Sequence, residues 1–282
     1  MSREAITSIR SCMSFVAEEQ DMKSTRCGCL VIIVAAMLGE TAARAGDNEP
    51  AATPYRPSVS SPAALPTPGW LDMELGALRA SGGGDKRRDS IPYAAKVAFN
   101  DRWGVVLGGE LQVRRVDQSG AAYTGVGDTT FLLKNRIATA DEGTAWGIAA
   151  GFKSPTAKDT IGSGKSDAIV TGIFSSDFAG SYHVDANLGA TRLGVWGVGE
   201  GRVQTAWAAA VSKSLNDQWG IFVEPSGSRR AGTASTAQLM FGATYNVSKR
   251  LVLDIAMAEG LNKATPDWQL MFGLTALIGQ LW

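Results

Sequence analysis

The stretch WGVVLGGELQVRRV, from Trp103 to Val116, alternates between two kinds of side chain. One set of alternate positions is apolar or glycine: Trp103, Val105, Leu107, Gly109, Leu111 and Val113. The other set is small or polar: Gly104, Val106, Gly108, Glu110, Gln112 and Arg114. Because successive side chains of a β-strand point to opposite faces, the pattern predicts a strand with one apolar face. A tilted strand of about 10 residues is long enough to cross membrane hydrocarbon.

The same alternation recurs along the rest of the chain and predicts about twelve strands, an even number as in single-chain bacterial barrels. Only the segment at residues 167–178 has apolar residues in both phases, so its two faces cannot be assigned. The predicted strands lie at residues 71–77, 93–99, 103–116, 130–137, 146–153, 167–178, 182–188, 204–212, 219–224, 238–245, 251–258 and 267–275.

The predicted connections alternate in length, as short periplasmic turns and longer external loops do in outer-membrane barrels. The short turns lie near residues 100–102, 140–143, 180, 216–217 and 248–250. The longer polar loops lie at residues 81–90, 117–126, 157–166, 194–202, 228–234 and 259–266. Four predicted strands begin with an aromatic ring just after a short turn, which predicts a periplasmic aromatic girdle. These rings are Trp103, Trp146, Tyr182 and Trp219.

Composition excludes several other classes of protein. The 27 basic and 27 acidic residues balance, so no electrostatic footprint for a nucleic acid is present. Beyond residue 45 no run of 18 apolar residues occurs, which excludes helical membrane spans. A soluble β-sandwich would also alternate, but its strands are usually shorter, at about 5–6 residues. Because lipid leaves no backbone group unpaired, we predict a closed, antiparallel, up-and-down transmembrane β-barrel over residues 70–282, in a bacterial outer membrane.

The first 69 residues have a different character. From Met22, a basic start, an uncharged core from Leu30 to Leu38 and the small-residue site at 43–45 describe a secretory signal peptide. We therefore expect residues 1–45 to be removed and translation to start at Met22. All three cysteines precede residue 46, so the mature chain is predicted to contain no thiol. Prolines crowd residues 46–69, where they prevent ladder hydrogen bonds and predict an extended periplasmic linker.

Four segments resemble the outer-membrane transporter family named for the meta-cleavage pathway of phenol degradation. They are Pro66-Thr67-Pro68-Gly69 before an acidic first strand, Gly125-Val126-Gly127-Asp128, Phe152-Lys153-Ser154-Pro155-Thr156, and Pro266-Asp267-Trp268-Gln269-Leu270. The resemblance covers nearly the whole chain after residue 45. It implies a barrel that handles small hydrophobic or aromatic compounds.

Motifs for catalysis are incomplete. His183, the one histidine, shares a predicted face with Asp185, but no G-x-S-x-G elbow supplies the nucleophile that a hydrolytic triad needs. Gly164-Lys165-Ser166 mimics the end of a phosphate-binding loop without the preceding glycine or the flanking helix. One histidine and no cysteine beyond residue 45 make metal ligation improbable. We predict no cofactor, no metal and no enzymatic activity.

Several charged or polar residues should point into the lumen because of their phase in the predicted strands. They are Glu74, Lys96, Glu110, Arg114, Lys134, Arg136, Lys153, His183, Asp185, Glu224 and Asp254. They could bridge strands inside a filled barrel, or form a constriction that tunes selectivity. A twelve-strand barrel lies between the filled eight-strand barrels and the open porins, so the sequence leaves both interpretations open.

The sequence therefore favours a channel for passive passage of a small, hydrophobic or aromatic solute. A membrane-embedded hydrolase and a structural barrel with a plugged lumen are the alternatives. The expected partners are outer-membrane lipid and lipopolysaccharide, the small solute, and the barrel-insertion machinery, which would recognise the last strand ending at Trp282. No nucleic-acid partner is expected.

Overall fold

The computed structural model describes residues 49–138, 143–158 and 160–282. The predicted signal peptide and start site lie outside these residues. In the described ranges, no helix is long and apolar enough to span a bilayer. The strands of this part are β1 (Trp70–Gly82), β2 (Asp85–Ala98), β3 (Trp103–Val116), β4 (Ala122–Gly125), β5 (Thr129–Ala138), β6 (Thr144–Ser154), β7 (Asp167–Phe178), β8 (Tyr182–Arg192), β9 (Val203–Ser214), β10 (Trp219–Arg230), β11 (Thr236–Ser248), β12 (Leu251–Gly260) and β13 (Trp268–Gln280).

The strands form one antiparallel sheet that closes on itself. Apart from β4, each strand pairs with its neighbours in chain order, and β1 returns to pair with the last strand, β13. The short β4 and the longer β5 pair in succession with β3, so together they occupy one position around the ring. The predicted barrel of about twelve antiparallel strands is confirmed. Closure leaves no sheet edge, which is the condition for strands to survive in lipid.

The two faces of the sheet have opposite chemistry. Large apolar side chains such as Leu107 and Trp146 are exposed, at 42% and 53%. Charged side chains such as Asp72 and Lys96 are completely buried. A soluble protein shows the reverse arrangement, with charged residues almost never fully buried. The apolar face is therefore the outside of the barrel, and the polar face lines its lumen.

The structure shows which face of β7 points into the lumen, which the sequence of residues 167–178 did not. In β7, Ile173 and Ser175 are buried, whereas Val170 is exposed. The odd-numbered residues of β7 therefore point into the lumen. The cross-strand partner of Ser175 in β8 is Asp185, which belongs to the same face.

A bulge in β3 exchanges the two faces for the last residues of the strand, so that these side chains point to the side opposite to the predicted one. Ile91 and Pro92 of β2 pair with Gln112 and Glu110, so Leu111 is the extra residue of the bulge. Beyond it Val113, predicted to face lipid, is fully buried. Arg114, predicted to face the lumen, is exposed on the outside. The lumen assignment of Arg114 is therefore wrong, because an extra residue shifts the alternation by one.

Residues 50–69 do not form a linker outside the barrel. They enter the lumen, and we call this segment the lumen arch. Its backbone bonds to side chains of β1, β8 and β10, for example from Thr53 to Asp72 and from Val59 to Glu224. The predicted periplasmic linker is therefore wrong for this part of the chain. Proline prevents sheet pairing, but it does not prevent an extended segment from bonding to the side chains of a wall.

The predicted loop at residues 81–90 is also wrong. β1 continues to Gly82 and β2 begins at Asp85, with positive φ at Gly82 and Gly83 in the tight turn. Charged residues suggested a loop, but strands that extend beyond the hydrocarbon can carry charge on both faces. At the opposite end of the barrel, aromatic rings pack against each other across strands at tilted angles, such as Trp219 with Tyr245 and Trp146 with Phe174.

Candidate functional site

The lumen arch rises from one end of the barrel, crosses the lumen and returns to the same end. At its start the Ala52 amide donates to the Lys249 carbonyl, and at its end Pro68 forms a parallel bridge with Ala98. Lys249 lies in the turn between β11 and β12, and Ala98 ends β2. Both feet of the arch therefore lie at the end of the barrel where β1 begins and β13 ends. The apex lies among Ser58–Ser61, against β8 and β10.

The ascending leg is held by two carboxylates of β1. The amides of Thr53 and Tyr55 donate to Asp72 and Glu74, at 2.8 and 2.6 Å. Lys96 of β2 completes the group, with Nζ 2.6 Å from Glu74 and 3.3 Å from Asp72. These three charged side chains are buried, and the single Lys96 ammonium lies between the two carboxylates, which also accept from amides of the arch.

Arg56 follows on this leg and crosses to β12 and β13. Its Nη2 lies 3.4 Å from Asp254 and donates to the carbonyl of Phe272 at 3.1 Å. Gly76 and Gly273 pair across β1 and β13, and the guanidinium group lies beside both. The two glycines leave the space that this group occupies in the lumen.

The ring of Tyr55 is placed between two lysines of the wall. Lys96 Nζ lies 4.2 Å from the ring centroid and Lys134 Nζ lies 4.0 Å from it. Both distances are within the range of cation–π attraction. The hydroxyl of Tyr55 donates to the carbonyl of Ala64 at 2.7 Å and so ties the ascending leg to the descending one.

The apex of the arch is bound by a single carboxylate. Glu224 of β10 is fully buried. Its oxygens accept from the amides of Val59 and Ser60, at 3.0 and 3.2 Å, and from the hydroxyl of Ser58. Hydrogen bonds to an ionised group are stronger than those between neutral groups, so Glu224 is the main polar attachment of the apex.

The descending leg bonds to β5, β7 and β8. The Ser61 amide donates to Asn187 at 2.6 Å, and the Ala63 amide donates to Ser175 Oγ at 2.7 Å. Lys134 of β5 is buried, and its ammonium group donates to the carbonyls of Pro62 and Ala64. Across the strands Lys134 pairs with Gly104 and Ala149, so its charge is met by the arch rather than by a neighbouring strand.

A cavity of about 550 Å³ lies in the lumen against the arch. Tyr55 and Ser58–Ser61 of the arch form one side of it. The barrel wall contributes mainly small or aliphatic side chains, such as Val106, Leu132 and Ile173, together with hydroxyl and amide groups. This size and lining are typical of a site for a small organic molecule.

Apart from Arg114, which faces outward, and His183, nine of the eleven predicted lumen residues fall into three groups in the structure. Six of them bond to the arch directly or through one intervening residue: Glu74, Lys96, Lys134, Asp185, Glu224 and Asp254. Glu110 and Lys153 instead make ion pairs with Arg88 and with Asp128 and Asp167, at the far end of the barrel from the arch feet. Arg136 lies on the lumen side of β5, opposite Gly147.

The environment of His183 differs from that of a catalytic pair. Its Nδ1 lies 2.5 Å from Asp177 and its Nε2 lies 3.2 Å from Asp185. The nearby hydroxyl of Ser175 donates to Asp185 instead of to the imidazole. In the described ranges no group of three or more acidic, histidine or cysteine residues could hold a metal ion.

Sequence reasoning missed the residues of the arch, which are Tyr55, Arg56 and Ser58–Ser61. The sequence contained only an indirect sign that this segment lies in the lumen. Glu224 pairs with Met240 across the strands, and Lys134 pairs with glycine and alanine, so neither charge has a charged neighbour in the sheet. Inward charges that lack a partner on adjacent strands indicate that another segment enters the lumen.

The fold is similar to those of solved outer-membrane barrels. An outer membrane channel from Pseudomonas putida F1 superposes with a TM-score of 0.59 at 12% identity, over 83% of this chain and 100% of that one. The KdgM porin gives a TM-score of 0.51 at 7% identity, over 74% of this chain and 99% of that one. No family model and no curated protein matches the sequence. At these identities the likeness concerns the fold.

Proposed function

We propose that the protein is an outer-membrane channel for passive passage of small apolar solutes, with the lumen arch controlling the passage. The observation that carries this proposal is the cavity of about 550 Å³, which lies inside a closed barrel and is bounded on one side by the arch. The barrel separates the cavity from lipid, and the arch separates it from the end of the barrel that holds the two feet of the arch. A solute that enters from the opposite end reaches the cavity first.

The lining of the cavity favours an apolar solute over an ion. Val106, Leu132, Ala149 and Ile173 supply carbon surface, while hydroxyl groups supply a few hydrogen bonds. Three charged residues reach the cavity: Arg56, Glu74 and Lys134. Glu74 and Lys134 are already bonded to the arch, and Arg56, which belongs to the arch, is bonded to the barrel wall. Channels that select ions present rings of charge to the solute, and such charges would have to be released here first.

The resemblance to the meta-cleavage family supports an aromatic compound as the solute. The outward apolar face supports insertion in outer-membrane lipid, where lipopolysaccharide would surround the barrel. The exposed ring of Trp282 at the chain terminus suits recognition of the last strand by insertion machinery. The histidine environment gives no support to the hydrolase alternative.

A plugged structural barrel is the second candidate, and the arch itself favours it. If the arch never leaves its contacts, the lumen stays closed and a solute that enters the cavity cannot cross the barrel. The two functions differ in one property, which is whether the protein raises the flux of a small apolar compound across the membrane.

Uptake of the fluorescent probe N-phenyl-1-naphthylamine by intact cells that express the protein tests the proposal. We expect faster uptake than in cells without it. Val106→Trp places a ring in the cavity and should abolish the gain, whereas Leu107→Trp places the same ring in lipid and should retain it. If expression leaves the uptake rate unchanged while the folded barrel is present, the channel proposal fails and the plugged barrel is supported.

A further inference from the structure

Three arginines form a cluster on the outer face of the barrel, near the ends of β1, β2 and β3 that lie farthest from the arch feet. They are Arg79, Arg87 and Arg114, and we call them the outer arginine cluster. The side chains of Arg79 and Arg87 are 53% and 41% exposed, and Arg114 is also exposed. Most large side chains exposed on this face are apolar, such as Leu107 and Leu111, so a group of three neighbouring arginines needs an explanation.

The pairing of the strands shows that the cluster points outward. Arg79 pairs with Asp89, and Asp89 pairs with Arg114, so these three residues share one face. Their chain neighbours Ala80 and Val113 are buried inside the barrel. Because successive residues alternate between faces, the cluster lies on the side that faces lipid.

One carboxylate holds two of the arginines side by side. Arg79 Nε lies 2.6 Å from one oxygen of Asp89, and Arg87 Nη2 lies 2.5 Å from the other. Within the part of the chain that the structure describes, Arg114 makes no ion pair. Three cations and one anion leave two surplus positive charges, and the aspartate fixes two guanidinium groups with their remaining N–H groups directed away from it.

The height of the cluster matches the headgroup level of a membrane. At about 3.4 Å per residue and a tilt of about 40°, each residue raises a strand by about 2.6 Å, so about ten residues span the apolar band of about 25 Å. Arg114 lies near the end of the 14-residue strand β3, which begins at the ring of Trp103. Arg79 pairs with Leu270, close to the exposed ring of Trp268.

We propose that the outer arginine cluster binds a phosphate group of lipid A, the phosphorylated and acylated glycolipid of the outer leaflet. Guanidinium groups bind phosphate oxygens in pairs, which suits a dianionic phosphate at the edge of the hydrocarbon. The apolar strand surface below the cluster, which includes exposed Leu111, would contact the acyl chains. The proposal rests on placement of the barrel in an outer membrane but not on solute passage.

Native mass spectrometry of the full mature chain, purified free of lipid in a neutral detergent, tests the binding. Arg87→Gln with Arg114→Gln reduces the surplus charge of the cluster to zero. We expect this double variant to bind bisphosphorylated lipid A about tenfold more weakly than the parent protein. Arg192→Gln with Arg229→Gln removes two exposed arginines at the same end of β8 and β10 and should change binding less than about twofold.

Three further ligands identify the source of the phosphate. We expect dephosphorylated lipid A and phosphatidylglycerol to bind the parent protein much more weakly than bisphosphorylated lipid A does. Millimolar inorganic phosphate should not displace bisphosphorylated lipid A. Equal binding of phosphorylated and dephosphorylated lipid A, or equal losses in the two double variants, would overturn the proposal. Heat-dependent migration in electrophoresis confirms that each variant is folded. Because probe uptake is measured separately, a channel that transports normally without binding lipid A refutes this inference alone.

Discussion

Leu107 and its chain neighbour Val106 lie on opposite faces of β3, and they test the assignment of faces at the level of single residues. Leu107 is exposed on the outside, and Val106 lines the internal cavity. An arginine at the lipid midplane costs about 2–4 kcal/mol, whereas the lumen can hydrate a charge. We expect Leu107→Arg to abolish or strongly reduce barrel assembly and Val106→Arg to assemble. The folded fraction after refolding into lipid, read by electrophoretic migration, measures both.

Val106→Arg is the matched control because it introduces the same charge one residue away. Its neighbour across the strands is Lys96, so some loss of stability from like charge is expected, but not failure to insert. Equal yields of folded protein for the two variants would contradict the assigned faces.

Glu224 is the residue whose loss should free the apex of the arch. Glu224→Ala removes the acceptor for the amides of Val59 and Ser60 and for the hydroxyl of Ser58. Hydrogen bonds to a charged group contribute about 1.5–3 kcal/mol, which would shift the equilibrium toward a displaced arch by about tenfold or more. We expect more frequent and larger openings in single-channel recordings.

Glu224→Gln provides the graded comparison. Its amide keeps one acceptor oxygen but loses the charge, so openings should be intermediate between those of the parent protein and Glu224→Ala. Unchanged recordings for both variants would show that this carboxylate does not hold the arch closed.

At the scale of elements, the alternation of β3 shows what the sequence could predict. The period of two identified a long strand and both of its faces up to Leu111, because lipid and lumen impose opposite requirements on adjacent residues. The bulge after that point was not predictable, because valine and arginine fit either phase at the edge of the hydrocarbon. The outer arginine cluster depends on this bulge, so the sequence alone placed Arg114 on the wrong face.

The arch was not predictable for a different reason. Its prolines correctly excluded sheet and helix, but the sequence gives no direct sign of which side chains replace the missing backbone partners. The inward carboxylates of β1 and β10 were assigned to the lumen from their phase. Their actual partners are amides of the arch, far from them in sequence. Only the structure shows that the proline-rich segment is the partner of these inward carboxylates.

A disulfide between the descending leg and β7 tests whether the arch must move. The Ala63 amide lies 2.7 Å from Ser175 Oγ, and the three native cysteines precede residue 46. Ala63→Cys with Ser175→Cys would therefore place two thiols close together in a mature chain predicted to have no others. We expect the oxidised double variant to show few openings and to recover the behaviour of the parent protein after reduction.

Each single cysteine variant controls for the substitutions themselves and should be insensitive to oxidant. Proteolytic mapping must show that the bond has formed. An oxidised, cross-linked protein that opens as often as the reduced one would mean that solute flow does not require movement of this leg.

At the scale of the whole molecule, the distribution of polarity is the inverse of that in a soluble protein. Carbon surface lies outside, and buried charges such as Lys96 and Glu224 lie inside, where they hold the arch. The closed sheet pairs its own backbone, with β1 joined to β13, and residues 46–282 contain no cysteine that could form a disulfide. Stability then comes from the ladder and from contacts across the lumen.

Spin-label accessibility along β3 in lipid vesicles tests this distribution most directly. A label is placed at each position from 103 to 116 in turn, and its collisions with oxygen and with a water-soluble nickel chelate are compared. We predict oxygen preference at odd positions up to Leu111 and chelate preference or protection at even positions up to residue 110. Beyond Leu111 the two faces exchange, so a label at 113 should be protected and labels at 112 and 114 should be accessible from outside the barrel. Uniform accessibility, or alternation of the opposite phase, would contradict a barrel with lipid outside and a polar lumen.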